Sequence, residues 1–178
     1  MNPVLEIADR QHDDPAVMGV FDAIERSLGV LPNMVRAMAV SPVLLQTYVG
    51  MSGQLAKGVI GAQTREKLAM LVAQVDGCSY CLSTHMHLAS KAGIPREQLE
   101  AARSAQSDEP KEAAILAFAH AVIVERGHVG AAAVETAREA GLDDAELAEI
   151  IGHVSLNFLT NTFNSAFGTP IEFPVIEA

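Results

Sequence analysis

Residues 62–93 read AQTREKLAMLVAQVDGCSYCLSTHMHLASKAG, and the fold turns on how this stretch divides. In its first half Leu68, Leu71, Val72 and Val75 recur at helical spacing, so a helix runs from about Ala62 to Val75. Asp76-Gly77 then supplies a stop signal. A second helix starts at Ser79 and reaches about Lys91, closed by Ala92-Gly93. This helix–turn–helix carries both cysteines of the chain and two of its six histidines.

Outward from this pair the same signals repeat. Asp14-Pro15 reads as an N-cap followed by proline at the first helical position, ahead of Val17, Val20, Phe21, Ile24 and Leu28. Pro32 opens a short helix through Ala39, and Ser41-Pro42 opens another through about Ala56, with a break at Gly58–Gly61. Pro95 starts a helix to about Ala105. The turn Ser107-Asp108-Glu109-Pro110 leads into a long apolar helix ending at Gly127. Gly130–Ala140 is alanine-rich and helical, and Asp143 or Asp144 caps a last helix reaching about Phe167. The tail Thr169-Pro170-Ile171-Glu172-Phe173-Pro174 should be extended, along the surface or a neighbouring subunit. No run alternates with period two. The expectation is all-α, one domain over residues 1–178, a bundle of eight or nine helices.

The totals narrow the function. With 178 residues, 49% of them hydrophobic, the chain builds a core without a disulfide or metal. A net charge of −10 opposes nucleic-acid binding, which needs clustered Lys and Arg. It equally opposes a basic membrane-surface helix, and no segment is apolar enough to span a bilayer. Met1-Asn2-Pro3-Val4-Leu5-Glu6 has no basic region followed by an apolar run, which reads as no secretory signal and a cytoplasmic protein. There, a close pair of cysteines is more often catalytic or metal-binding than structural. No Gly-rich loop follows a strand, so no nucleotide cofactor is expected.

Cys78, Cys81, His85 and His87 are four potential metal ligands, of two types, within ten residues. At ~100° per helical residue, Cys81 lies about 60° and His85 about 20° from Cys78, but His87 about 180° away. A tetrahedral zinc site would therefore need Glu66, His120, His128 or His153 from elsewhere. A structural staple is a poor reading, because so short a loop constrains little of the unfolded chain. The cysteines could also be small buried hydrophobes. The remaining reading is redox. Cysteines in the first turn of a helix face free N–H groups and the positive end of the macrodipole, which favour thiolate. His85, one turn beyond Cys81, can take or hold its proton. Two thiols one turn apart can condense to a disulfide after one is oxidised to a sulfenic acid.

Other residues weigh less. Glu66 by itself reads as an early-helix acid favourable to the dipole. His153, Asn157, Asn161 and Asn164, spaced four, four and three, share one face of an otherwise apolar helix. They become candidates for the redox pocket or a subunit contact, against a plain solvent-facing stripe. His87 faces away from the cysteines, and His120 and His128 read as core or surface residues.

Glu66, eleven residues, Cys78-Ser79-Tyr80-Cys81, three residues and His85 together resemble the core motif of the AhpD-like (alkylhydroperoxidase D / carboxymuconolactone decarboxylase) superfamily. The likeness is strongest over residues 62–93, and the last helix and tail are similar to peroxidase-related members. The resemblance implies a cofactor-free, metal-free thiol-dependent alkyl hydroperoxidase or disulfide oxidoreductase. In that scheme peroxide reacts at Cys81, Cys78 resolves the product as a disulfide, and His85 and Glu66 relay protons. A dithiol or an electron-carrier protein regenerates the pair, and the protein is a homo-oligomer, a trimer or hexamer, with a dimer as the alternative. Tyr80 stands where members often carry a second histidine, which makes it a candidate relay, although a phenol is a poor base at neutral pH. Decarboxylases of the superfamily generally lack the cysteine pair. The rival readings are a lyase or isomerase acting on a lactone acid, and a non-catalytic zinc-binding or oxidant-sensing module.

Overall fold

The structure is a computed structural model and describes residues 5, 7–9 and 11–178. The reading of residues 1–6 as lacking a leader lies, apart from Leu5, outside the described residues. Among these residues nine helices and no strand are formed: α1 (Pro15–Leu28), α2 (Asn33–Met38), α3 (Pro42–Leu55), α4 (Ala62–Val75), α5 (Ser79–Lys91), α6 (Arg96–Ala102), α7 (Pro110–Val124), α8 (Gly130–Glu139) and α9 (Asp144–Phe167). The all-α architecture expected from the sequence is the one observed. No helix among the described residues is long and apolar enough to cross a membrane.

The centre is α4. Every residue from Lys67 to Ala73 is buried, and α5, α6, α7 and α9 all pack against this helix. A helix buried all round needs apolar side chains on every face, and Leu68, Met70, Leu71 and Val72, each 0% exposed, supply them. At its end Gly77 takes a left-handed conformation (φ 69°), open to glycine at little cost. The Cys78 N–H reaches back to the Ala73 carbonyl at 2.9 Å, so the chain reverses tightly into α5.

The longest helix, α9, is fixed at both ends. The Asp143 side chain accepts from the Glu146 N–H while the Glu146 carboxylate accepts from the Asp143 N–H, a reciprocal capping box. Gly168 in the left-handed region closes the other end. Beyond it the tail runs back along the chain's own α5. The Ile176 N–H donates to Ser83 Oγ at 2.8 Å, Arg103 Nη2 donates to the Glu177 carbonyl at 2.9 Å, and Phe173 stacks on His87 at 5.0 Å between ring centroids.

Two helices are shorter than their sequence patterns suggest. α6 stops at Ala102 because Ala105 adopts φ 56°, and α7 stops at Val124 because Arg126 and Gly127 adopt φ 53° and 83°. Left-handed residues cannot continue a right-handed helix, and an alanine or arginine in that conformation leaves no sequence signal.

Candidate active site

The start of α5 sets the site. Cys78 is its N-cap residue and Cys81 lies in the first turn, with Cα atoms 5.4 Å apart and the two sulfurs joined in a disulfide. The Cys81 N–H donates to Cys78 Sγ at 3.2 Å, so sulfur takes the capping role that a hydroxyl or carboxylate usually fills. Both cysteines are buried, at 2% and 3% exposure. Cys81 Sγ has its own donor, Asn164 Nδ2 on α9, at 3.4 Å.

One turn beyond Cys81, His85 Nδ1 meets Glu66 Oε2 on α4 at 2.8 Å. Both side chains are partly open, at 26% and 36%. Burial by itself would raise the Glu66 pKa, but the charge and hydrogen bond of His85, with Arg65 beside it, hold it below 4.5. Glu66 is thus a carboxylate at neutral pH and an acceptor only. Facing a group that only accepts, His85 donates through Nδ1, which leaves Nε2 as the ring nitrogen not engaged by Glu66. Glu66 and His85 lie nineteen residues apart in the chain and meet because α4 and α5 pack antiparallel across the Gly77 turn.

Tyr80 is turned to other partners. Its hydroxyl donates to Glu172 Oε1 at 2.9 Å and accepts the Met34 N–H at 3.0 Å, and the Asn33 N–H reaches the same carboxylate oxygen at 2.8 Å. Burial, then the Glu172 charge, raises its pKa well above the ordinary phenol value. Through these bonds the ring clasps α5 to α2 and the tail. Tyr80→Phe should therefore cost about 1–2 kcal/mol, because it orphans the buried Met34 N–H. Denaturant unfolding would measure that loss, and amide exchange should speed up in residues 170–177.

The polar stripe of α9 faces inward. His153, Asn157, Asn161 and Asn164 are all buried, against the solvent-facing alternative. Asn157 Nδ2 donates to the His153 carbonyl at 2.8 Å. Asn161 Nδ2 donates at 3.0 Å to Asp76 Oδ2, whose pKa is raised by burial and eased back by that bond. Burial and Arg65 lower the His153 pKa against Glu149, which keeps that ring neutral. The stripe therefore grips the loop that carries the cysteines, at Asp76 on one side and at Cys81 on the other.

One neighbour escaped the sequence reading. Tyr48 on α3 lies within reach of the Glu66 charge, which together with burial pushes its pKa up to about 12, so it stays a neutral donor. Nothing in the spacing of α3 singles it out. His87, His120 and His128 are exposed, as befits residues outside the site. Among the described residues no group of three His, Cys, Asp or Glu is placed to hold a metal ion. Two surface hollows of about 270 and 380 Å³ include neither cysteine, so chemistry and not concavity marks the site.

Comparison with known proteins supports the fold that carries these residues. The model of the carboxymuconolactone decarboxylase family matches residues 42–121, from α3 into α7. A solved structure of the debrominase Bmp8, a cysteine-to-alanine variant in complex with 2,3,4-tribromopyrrole, is 27% identical with TM-score 0.82, covering 97% of this chain and 93% of that one. An uncharacterized peroxidase-related protein from Ralstonia eutropha JMP134, described as an alkylhydroperoxidase AhpD core, is 18% identical with TM-score 0.84, covering 96% and 92%. A peroxidase-related protein from Silicibacter sp. TM1040 is 21% identical with TM-score 0.82, over the same shares of the two chains.

Residues 42–121 thus carry the carboxymuconolactone decarboxylase family match, and nearly the whole chain shares its fold with the debrominase and the AhpD-like proteins. No curated protein matches its sequence. The likeness to the two peroxidase-related proteins shows a shared fold over nearly the whole chain. Within that fold the α4–α5 hairpin lies inside the family match and carries Glu66, Cys78, Cys81 and His85 together.

Proposed function

We propose that this protein is a cofactor-free dithiol oxidoreductase that reduces hydroperoxides at the Cys78–Cys81 pair. The observation that carries the reading is the sulfur pair at the N-terminus of α5, one turn from the hydrogen-bonded His85–Glu66 pair. In the reduced protein, the N-terminal N–H groups of α5 and the basic nitrogen of His85 favour a thiolate at Cys81. That thiolate attacks the terminal oxygen of ROOH. The O–O bond breaks, Cys81 becomes a sulfenic acid, and RO⁻ leaves as ROH with a proton carried by His85. Cys78 then attacks the sulfenic sulfur, releasing water and forming the disulfide. A dithiol or an electron-carrier protein returns the two electrons and two protons. Such a cycle requires a reducing compartment, consistent with a cytoplasmic location. A homo-oligomer, trimer or hexamer, would cover apolar side chains that the single chain leaves exposed, among them Val43, Ile151 and Phe158.

A second reading is favoured by the identity to the debrominase over almost the whole chain. The same dithiol could take bromine from a brominated heteroaromatic. The thiolate would attack bromine, the ring carbon would take a proton, and the sulfenyl bromide would be resolved by Cys78 to a disulfide with loss of bromide. Both reactions oxidise two thiols per molecule of substrate, and only the leaving groups differ.

One experiment tests both. Reduced protein is mixed with one equivalent of cumene hydroperoxide, or separately of 2,3,4-tribromopyrrole, and thiols and products are counted. The expected result is loss of both thiols per molecule of alcohol formed. Thiol loss with only the bromopyrrole would replace the first reading by the second, and intact thiols with both would overturn the redox assignment.

A further inference from the structure

The two sulfurs are served by different donors. Cys78 Sγ accepts the backbone N–H of Cys81, which no substitution removes, whereas Cys81 Sγ accepts the side chain of Asn164. Asn164 is 3% exposed and sits in the last turn of α9, and the Gly168 and Thr169 N–H groups both donate to its main-chain carbonyl. Its backbone is therefore held from below while its amide points at the sulfur. Its Oδ1 is buried and without a hydrogen-bond partner. Such an atom is costly to leave unpaired. The opposite amide orientation would set Oδ1 against a sulfur lone pair, so the donor must face Cys81.

We propose that Asn164 is a catalytic residue acting through both ends of its amide. Nδ2 stabilises the Cys81 thiolate, and so lets Cys81 compete with the N-cap Cys78 as the attacking sulfur. Oδ1, bonded to the same carbon, accepts the O–H of a hydroperoxide presented to that sulfur, and then the O–H of the sulfenic acid. The second half rests on the peroxidase reading above, whereas the first concerns the thiol alone. The titratable groups around the sulfurs, His85 on α5, Glu66 on α4 and Asp76 at its end, stay constant throughout the comparison.

The test separates the two. In reduced protein carrying Cys78→Ser, Cys81 is titrated by its thiolate absorbance, with Asn164 intact or replaced by alanine or by the isosteric aspartate. A hydrogen bond to a charged sulfur is worth enough that Asn164→Ala should leave about tenfold less thiolate at a pH below the midpoint, and Asn164→Asp less again. In the Cys81→Ser background the titration of Cys78 should not move. Unchanged titration of Cys81 in both variants, or an equal shift at Cys78, would overturn the proposal, because a merely structural role disturbs both sulfurs alike. At a pH where Cys81 is fully thiolate in every protein, kcat/KM for cumene hydroperoxide should remain about tenfold lower in Asn164→Ala. Full recovery there would overturn the acceptor role. None of the titrations needs a substrate, so an inactive enzyme would sink the peroxidase reading and leave the thiolate result standing.

Discussion

Cys81→Ser should lower turnover of an organic hydroperoxide by at least about 10⁴-fold, because removing a nucleophile leaves only binding and the surrounding dipoles. Cys78→Ser should behave differently. A serine hydroxyl still caps α5, since it can accept the Cys81 N–H that Cys78 Sγ accepts now, so the helix start is preserved. Cys81 should then consume one equivalent of peroxide and stop as a sulfenic acid, which dimedone trapping and mass spectrometry would reveal. The asymmetry follows from position. Cys81 lies on the His85 side of the first turn, while Cys78 is bound at the cap. A coupled dithiol assay measures the first effect. If Cys81→Ser kept more than about a hundredth of the activity, far above what survives loss of a nucleophile, Cys81 would not be the attacking residue. If the two variants behaved alike, the division of roles would fail.

How far the sequence alone could reach depended on the distance between partners. The borders of α4 and α5 were legible residue by residue, because Asp76-Gly77 and Ala92-Gly93 are local signals read by local physics. Helical phase placed Cys78, Cys81 and His85 on one face and turned His87 away, where it stacks on Phe173. Glu66 was another matter. Its link to His85 crosses between helices, and only the spacing shared with a known family pointed to it. Tyr80 could not be read at all, since its partner Glu172 is ninety-two residues away in a tail without secondary structure. The α9 asparagines formed a visible stripe, yet what each one touches depends on how α9 lies against α4 and α5. The overrun of α6 and α7 has the opposite cause: left-handed alanine and arginine are decided by packing, against their own preference.

The interior of α4 holds a charge that should dominate the stability of the hairpin. Lys67 is 5% exposed, and its Nζ donates to Glu112 Oε2 in the first turn of α7 at 2.6 Å. The same carboxylate accepts from Ser107 Oγ at 2.6 Å and from Thr64 Oγ1 at 3.0 Å. Glu112→Ala removes the acceptor and leaves a buried ammonium with no counter-charge, which should cost about 3–5 kcal/mol. In a domain of this size that corresponds to a fall in Tm of roughly 6–20 °C. Replacing both partners, Lys67→Met with Glu112→Leu, should restore most of the loss, because the penalty lies in the unpaired charge. Acid should reproduce the single variant. Burial would raise the Glu112 pKa, but the bonds from Lys67, Ser107 and Thr64 override it and hold it below 4.5. A depressed carboxylate contributes stability that is present above its unfolded value and lost as pH falls through its folded one. Wild type should therefore lose this contribution only below about pH 4.5, converging there on Glu112→Ala. Urea unfolding across that range decides it. Equal stability of wild type and Glu112→Ala at neutral pH would mean that Lys67 finds water or another partner. Because Lys67 faces α7 while its neighbour Glu66 faces α5, the pair that holds α4 in place also fixes the carboxylate beside His85.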